Sequence, residues 1–161
     1  MKRIPLTQGK FAVVDDRFYK PLMAMASWSY HRSKGGGYAH GIVNGKLAYM
    51  HRIIWQLAGR RLPRLLDHRD TDGLNNRLSN LRPATYSQNI HHRGPTRRNT
   101  SGYKGVYYQR RSKKWYTQIM VRGVYHYLGC FKTARKAARA YDKAARYHLR
   151  EFAYTNFATA V

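Results

Sequence analysis

Ten consecutive residues, Arg93-Gly94-Pro95-Thr96-Arg97-Arg98-Asn99-Thr100-Ser101-Gly102, break the hydrophobic patterning of this 161-residue chain. Glycine, proline and small polar side chains give the run the composition of a linker, and its three arginines suit a path along phosphates. The break predicts two modules, residues 1–92 and 102–161, joined by a basic linker over 93–101. Each piece is close to the smallest size that buries an independent core. A hydrophobic share of 43% and 14 tyrosines argue against disorder along most of the chain.

Charge then separates the functional classes. The chain has 31 Lys and Arg against seven Asp and Glu, a formal net charge of +24. Residues 1–92 carry 15 basic and 5 acidic side chains, and residues 93–161 carry 16 and 2. Such an excess goes beyond what solubility requires and points to a polyanionic partner, nucleic acid first. A single cysteine, Cys130, excludes an intrachain disulfide and a Cys-based zinc site, which fits a reducing, intracellular setting. Within its apolar run Cys130 is expected to be buried. The N-terminal residues lack a secretory h-region and no run of 18 apolar residues exists, so the expectation is a soluble protein that does not cross membranes.

Against this basic background, three of the seven acids fall between positions 67 and 72. A concentration of carboxylates there invites a cation. Asp67 directly precedes His68 and Asn80 follows, which offers a metal ligand, a proton acceptor and a group to fix the imidazole, the set a nuclease needs. Residues 64–67 read as a strand, 69–76 as a polar loop turning at Gly73, and 78–82 as a second strand. Thr85 and Gln88 have capping-box spacing, which predicts a helix from Tyr86 to about His92. A calcium loop is excluded because His68 and Ser79 would stand at its first and twelfth positions. Asp67, Asp70 and Asp72 also suit plain turn formation.

Before this segment, residues 11–14 read as a strand and 17–25 as a short helix. A turn spans Ser33-Lys34-Gly35-Gly36-Gly37, and residues 38–43 and 46–50 form a hairpin about Asn44-Gly45. Ile53, Ile54, Trp55 and Leu57 have helical spacing, with a stop at Gly59. His51, at the entry of that helix, is either a catalytic or phosphate-binding group or a packed core or cap residue.

The set Asp67-His68, Asn80-Leu81-Arg82 and Asn89 resembles the His-Asn-His (HNH) endonucleases, in the His-Asn-Asn variant of phage homing enzymes. The resemblance covers roughly residues 1–92 and implies a ββα-metal core at about 62–92 that binds one divalent ion, magnesium or manganese. Carried over by position, it implies Asp67 and Asn89 as metal ligands, His68 as the base that activates water, and Asn80 as the residue that accepts from His68 and fixes its tautomer. His91 and His92 stand close to Asn89 as alternatives for the last ligand. Hard oxygen donors suit either ion, and an imidazole of ordinary pKa near ~6.5 accepts a proton at neutral pH.

After the linker, residues 103–109, 115–122 and 125–131 read as three strands of an antiparallel meander, and 133–149 as a helix with an alanine-rich face and a basic face. Ser101-Gly102-Tyr103-Lys104-Gly105-Val106, Lys114-Trp115, Tyr127-Leu128-Gly129-Cys130-Phe131, the run from Ala137 to Ala145 and Asn156-Phe157 resemble the Apetala-two/ethylene-response-factor DNA-binding domain. That resemblance implies a three-stranded sheet, packed on one helix, that lies in the major groove. The positions held by arginine and tryptophan in the plant domains are here Lys104, Tyr107, Gln109, Gln118, Met120, Tyr125 and Tyr127, so the plant target does not carry over. Arg110, Arg111, Lys113 and Arg122, with Arg93, Arg97 and Arg98 of the linker, are expected to meet phosphates. Trp115 is expected in the core.

The whole reads as an α+β protein: a metal-dependent, homing-type DNA endonuclease that nicks or cuts duplex DNA, acting as a monomer in the host cytoplasm of a phage. Rival readings are a non-catalytic sequence-specific DNA-binding regulator and a basic RNA-binding protein.

Overall fold

Residues 1–33 and 36–158 are described in the computed structural model, and they divide into two units, Met1–Thr85 and Tyr86–Val161. Lys34 and Gly35 of the expected turn, and residues 159–161 of the expected second module, lie outside the described residues.

In the first unit, Lys2–Pro5 (β1) and Phe11–Val14 (β2) pair antiparallel, with Ile4, Ala12 and Val14 turned inward. Helix α1 (Asp16–Met25) buries Phe18 and Leu22 against them. Trp28–Ser33 (β3), Gly36–Val43 (β4) and Lys46–Tyr49 (β5) form a three-stranded sheet with β4 in the centre. The β4–β5 turn is the expected Asn44-Gly45, both at positive φ (50° and 72°), as a hairpin turn of this twist requires. Helix α2 (Met50–Leu57) contributes Met50, Ile54 and Trp55 to the same core, and the indoles of Trp28 and Trp55 donate to the carbonyls of Leu22 and Arg61.

Leu66–His68 (β6) and Leu81–Pro83 (β7) pair antiparallel at the edge of this unit. Residues 78–80, expected to open the second strand, form a 3-10 turn instead. The Asp15 carboxylate accepts the Leu78 N–H at 2.8 Å, which draws the chain into the turn before pairing starts at Leu81. The loop between β6 and β7 is sewn to β2: Val13 donates to the Leu74 carbonyl and Asn76 donates to the Val13 carbonyl, each at 2.8 Å. Gly73 passes so close to β4 that a Cβ there would lie 2.3 Å from the Gly37 carbonyl oxygen.

The second unit begins with α3 (Tyr86–His92), so β6, β7 and α3 follow one another along the chain in the expected order of strand, strand and helix. Val106–Gln109 (β8), Lys114–Val121 (β9) and Val124–Phe131 (β10) form the expected meander with β9 in the centre. Helix α4 (Ala134–Leu149), N-capped by Thr133, lays Ala137, Ala138, Tyr141 and Ala145 on one face of the sheet, and the small side chains permit close approach. Trp115 packs in this core as expected.

Cys130 corrects its expectation, because it is exposed. A bulge between Tyr127 and Gly129 shifts the register of β10, so the alternation of faces reverses there. Cys130 consequently lies opposite Tyr116 on the outward face, and Phe131 turns into the core. Among the described residues no helix is long and apolar enough to cross a membrane.

Candidate functional site

Strand β6 presents Asp67 and His68 as neighbours with opposite side-chain directions, and both are buried. Arg82 lies directly across the β6–β7 ladder from Asp67; its Nε donates to Asp67 Oδ2 at 2.9 Å, and a terminal guanidinium nitrogen forms an ion pair with the same oxygen at 2.8 Å. The pair is almost fully enclosed, so the guanidinium compensates a carboxylate that would otherwise be costly to bury.

The His68 ring is 5% exposed and meets three neighbours. Its Nε2 is 3.3 Å from Asn76 Oδ1. Its centroid is 5.1 Å from that of His51, edge to face, and 5.9 Å from that of Tyr38. Burial holds its pKa below the ordinary histidine value, against the Asn76 contact and the Asp70, Asp67 and Asp72 charges, which act to raise it. The ring is therefore neutral at neutral pH, the state in which an imidazole accepts a proton. His51, in the first turn of α2, is buried and has its pKa pushed down to about 3, by burial first and then by His68 and Arg52. Its Nδ1 has no hydrogen-bond partner among the described residues.

Asn80 is also buried, but its bonds correct the role expected of it. Its Oδ1 accepts the Asp70 N–H (3.2 Å), and its Nδ2 donates to Asp70 Oδ1 (2.9 Å) and to the Asn75 carbonyl (2.8 Å). The Asn80 amide is thus bonded to the 69–79 loop through both its ends, and the side chain that reaches His68 is Asn76. Asp70 and Asp72 act as turn formers: Asp70 Oδ1 accepts the Asp72 N–H and Asp72 Oδ1 accepts the Leu74 N–H, each at 2.9 Å. Burial raises the Asp70 pKa, but hydrogen bonds from Asn80, Asp72 and Asn75 and the His68 charge outweigh it and hold the carboxyl low.

Asn89 stands half-buried on α3 in the second unit, and His91 and His92, the alternative ligands, are buried in the last turn of that helix. Among the described residues, no three or more His, Cys, Asp and Glu side chains converge as a metal-binding cluster. Asp67 offers a carboxylate oxygen in the first unit and Asn89 an amide oxygen in the second, each a hard donor of the kind that a divalent ion takes.

In the second unit Lys104 departs from expectation. Its Nζ donates to the carbonyls of His91 and Arg93 and lies over the Tyr154 ring, and burial lowers its pKa to about 8. It closes the C-terminal end of α3 and is not on the sheet face. The other expected positions lie on one sheet face and in exposed turns. Tyr107, Gln109, Gln118, Met120, Tyr125 and Tyr127 share the face of the sheet opposite α4. Tyr107 stacks on Tyr116 at 5.8 Å, and Tyr116 lies 6.0 Å from Tyr127, a ladder across the three strands. Arg110, Arg111 and Lys113 in the β8–β9 turn, Arg122 in the β9–β10 turn, and Arg93, Arg97 and Arg98 are all exposed. The 93–105 stretch is itself tied down, with Asn99 Nδ2 donating to the Tyr103 carbonyl (2.8 Å) and Ser101 Oγ to that of Val106 (2.8 Å).

Sequence reasoning missed Asn76 and the partner of Arg82, whereas the burial of His51 agrees with the packed-core alternative stated for it. The adjacent pair Asn75-Asn76, two amides inside the loop of the proposed site, was the available signal for the first.

The HNH endonuclease family matches residues 48–91, a stretch that includes Asp67, His68, Asn76, Asn80 and Asn89. Protein 3.8 of Escherichia phage T7 is 31% identical over 78 residues, which cover 47% of this chain and 64% of that protein. APETALA2-like protein 2 of Oryza sativa subsp. japonica and AP2-like ethylene-responsive transcription factor TOE2 of Arabidopsis thaliana are each 51% identical over 53 residues, 33% of this chain. The chain spans 12% and 11% of the lengths of these two plant proteins. No solved structure matches it.

Proposed function

We propose that this chain is a metal-dependent DNA endonuclease of the homing type, in which the β6–β7 region carries the catalytic base and the three-stranded sheet holds the duplex. The observation that carries the reading is His68, buried, neutral and side by side with an enclosed carboxylate on β6. A neutral imidazole in that place takes the proton from the water that attacks the phosphodiester. Asp67 and Asn89 would hold one magnesium or manganese ion. Such an ion supplies Lewis-acid stabilisation of the charge that develops on the phosphate and the leaving oxygen. Arg82 fixes the Asp67 carboxylate, and Asn80 shapes the loop that follows the base.

Duplex DNA is the partner that the charge and the outward tyrosine and glutamine face suit. The arginines and lysine of the two sheet turns take phosphates, and the uncharged face between them meets base edges. One base per chain suits a monomer that nicks, with a second visit needed for a double-strand break.

Supercoiled plasmid incubated with the full chain and magnesium should become nicked or linear. His68→Ala should lower the rate by roughly 10²- to 10⁴-fold, as expected for removal of a general base, and leave plasmid affinity unchanged. Undiminished cleavage by His68→Ala would reject His68 as the base, and no cleavage by the native chain on any duplex would reject the enzyme in favour of a DNA-binding regulator.

A further inference from the structure

We infer that Asn76 is the positioning residue that fixes the tautomer of His68, keeping the ring proton on Nε2 and leaving Nδ1 as the nitrogen that accepts a proton. The inference deepens the nuclease reading and rests on it for its catalytic consequence, while its structural content stands on the loop alone.

The argument starts from the Asn76 amide, whose two ends differ in what they can do. Its Nδ2 lies 3.1 Å from the Leu74 carbonyl oxygen, an acceptor only. Turning the amide over would set two acceptors against each other, so the NH2 group faces Leu74 and the oxygen faces His68. An amide oxygen only accepts. Nε2, 3.3 Å away, must therefore carry the hydrogen and donate it. In a neutral imidazole one nitrogen is protonated and the other is not, so Nδ1 holds the lone pair.

Asn76 is equipped to impose this choice. It is 0% exposed, so water does not compete for its oxygen. Its backbone N–H donates to the Val13 carbonyl at 2.8 Å, and Val13 returns the bond through its own N–H to the Leu74 carbonyl at 2.8 Å. Both hydrogen-bonded ends of the clamp thus hang on β2, whose Ala12 and Val14 lie in the core. Asn80 is not placed to do this, since its amide hydrogens go to Asp70 and Asn75, its oxygen accepts the Asp70 N–H, and the side chain on His68 Nε2 is that of Asn76. The two asparagines therefore divide the work: one shapes the loop, and the other orients the base.

The test reads the proton directly. The full chain labelled with ¹⁵N-histidine is examined by long-range ¹H–¹⁵N correlation at neutral pH, with the His68 signals assigned by their loss in His68→Ala. Native His68 should show the Nε2–H pattern. Asn76→Ala should mix the two tautomers and lower kcat on plasmid by roughly 10- to 100-fold, the usual loss for an outer-shell partner, with KM nearly unchanged. Asn76→Asp, which keeps an acceptor facing Nε2, should restore the Nε2–H pattern and most of kcat. Asn80→Ala should leave the His68 proton on Nε2. A native His68 protonated on Nδ1 would overturn the inference without any variant. So would an Asn76→Ala protein that keeps both the tautomer and kcat, or a tautomer that shifts in Asn80→Ala and not in Asn76→Ala. Should the native chain cleave nothing, the nuclease reading fails, and the tautomer measurements still decide the role of Asn76.

Discussion

His51 sets the acid limit of the first unit. The folded chain holds its imidazole neutral down to about pH 3, whereas the unfolded chain protonates it at the ordinary value of 6.5. Between those values the unfolded state binds the extra proton, so stability is complete above pH 6.5 and is lost as pH falls toward 3. One such group contributes a slope of up to ~1.4 kcal/mol per pH unit, and His68, shifted the same way, adds to it. His51→Gln removes one titrating group, so its urea-unfolding free energy should fall less steeply than the native value between pH 7 and pH 4. Parallel curves would show that His51 takes up its proton in the folded chain. At this scale the adjacent Asp67-His68 was legible, because acids are scarce and their clustering stands out. Which asparagine meets the ring was not. Positions 75, 76 and 80 all lie within reach by spacing, and the choice depends on a loop path set by Thr71 at φ 65° and by the bridge to β2.

Elements were more legible than the places where they change direction. The Asn44-Gly45 hairpin, the meander and the alanine face of α4 follow from local periodicity and turn chemistry, which the folded chain keeps. The 3-10 turn at residues 78–80 and the bulge in β10 arise from partners remote in sequence or from registry, and no local pattern announces them. Lys104 shows the consequence for function. A lysine at the start of the sheet motif reads as a DNA contact, yet its ammonium donates to the carbonyls of His91 and Arg93. Lys104→Ala should therefore destabilise the chain by about 1.5–3 kcal/mol, the range for hydrogen bonds to a charged group. It should leave the slope of log K against log salt for duplex binding unchanged. Lys113→Ala, in the exposed β8–β9 turn, should instead lower that slope by roughly 0.9 with little effect on stability. A slope that drops in Lys104→Ala would return the residue to the DNA.

For the molecule as a whole, charge and chain length suggest two basic modules, and the division by packing falls between Thr85 and Tyr86. Composition points to residues 93–101 as the joint because glycine, proline and arginine gather there, but composition does not show what holds a segment in place. Here α3 touches the 3-10 turn Arg150–Phe152, Lys104 closes its C-terminal end, and Gly94 lies against Tyr154. The helix that carries Asn89 consequently folds with the sheet module, although the family match at residues 48–91 counts it with the sequence before it. A fragment of residues 102–161 would leave the Lys104 ammonium half-buried without its carbonyl partners, and a fragment of residues 86–161 would keep them. The longer fragment should therefore unfold at higher urea concentration, with the Lys104 bonds alone worth about 1.5–3 kcal/mol in free energy, and the difference should narrow by that amount when both carry Lys104→Met. Equal midpoints in the unsubstituted fragments would mean that α3 is a passenger on this unit, and that residues 93–101 are the joint after all.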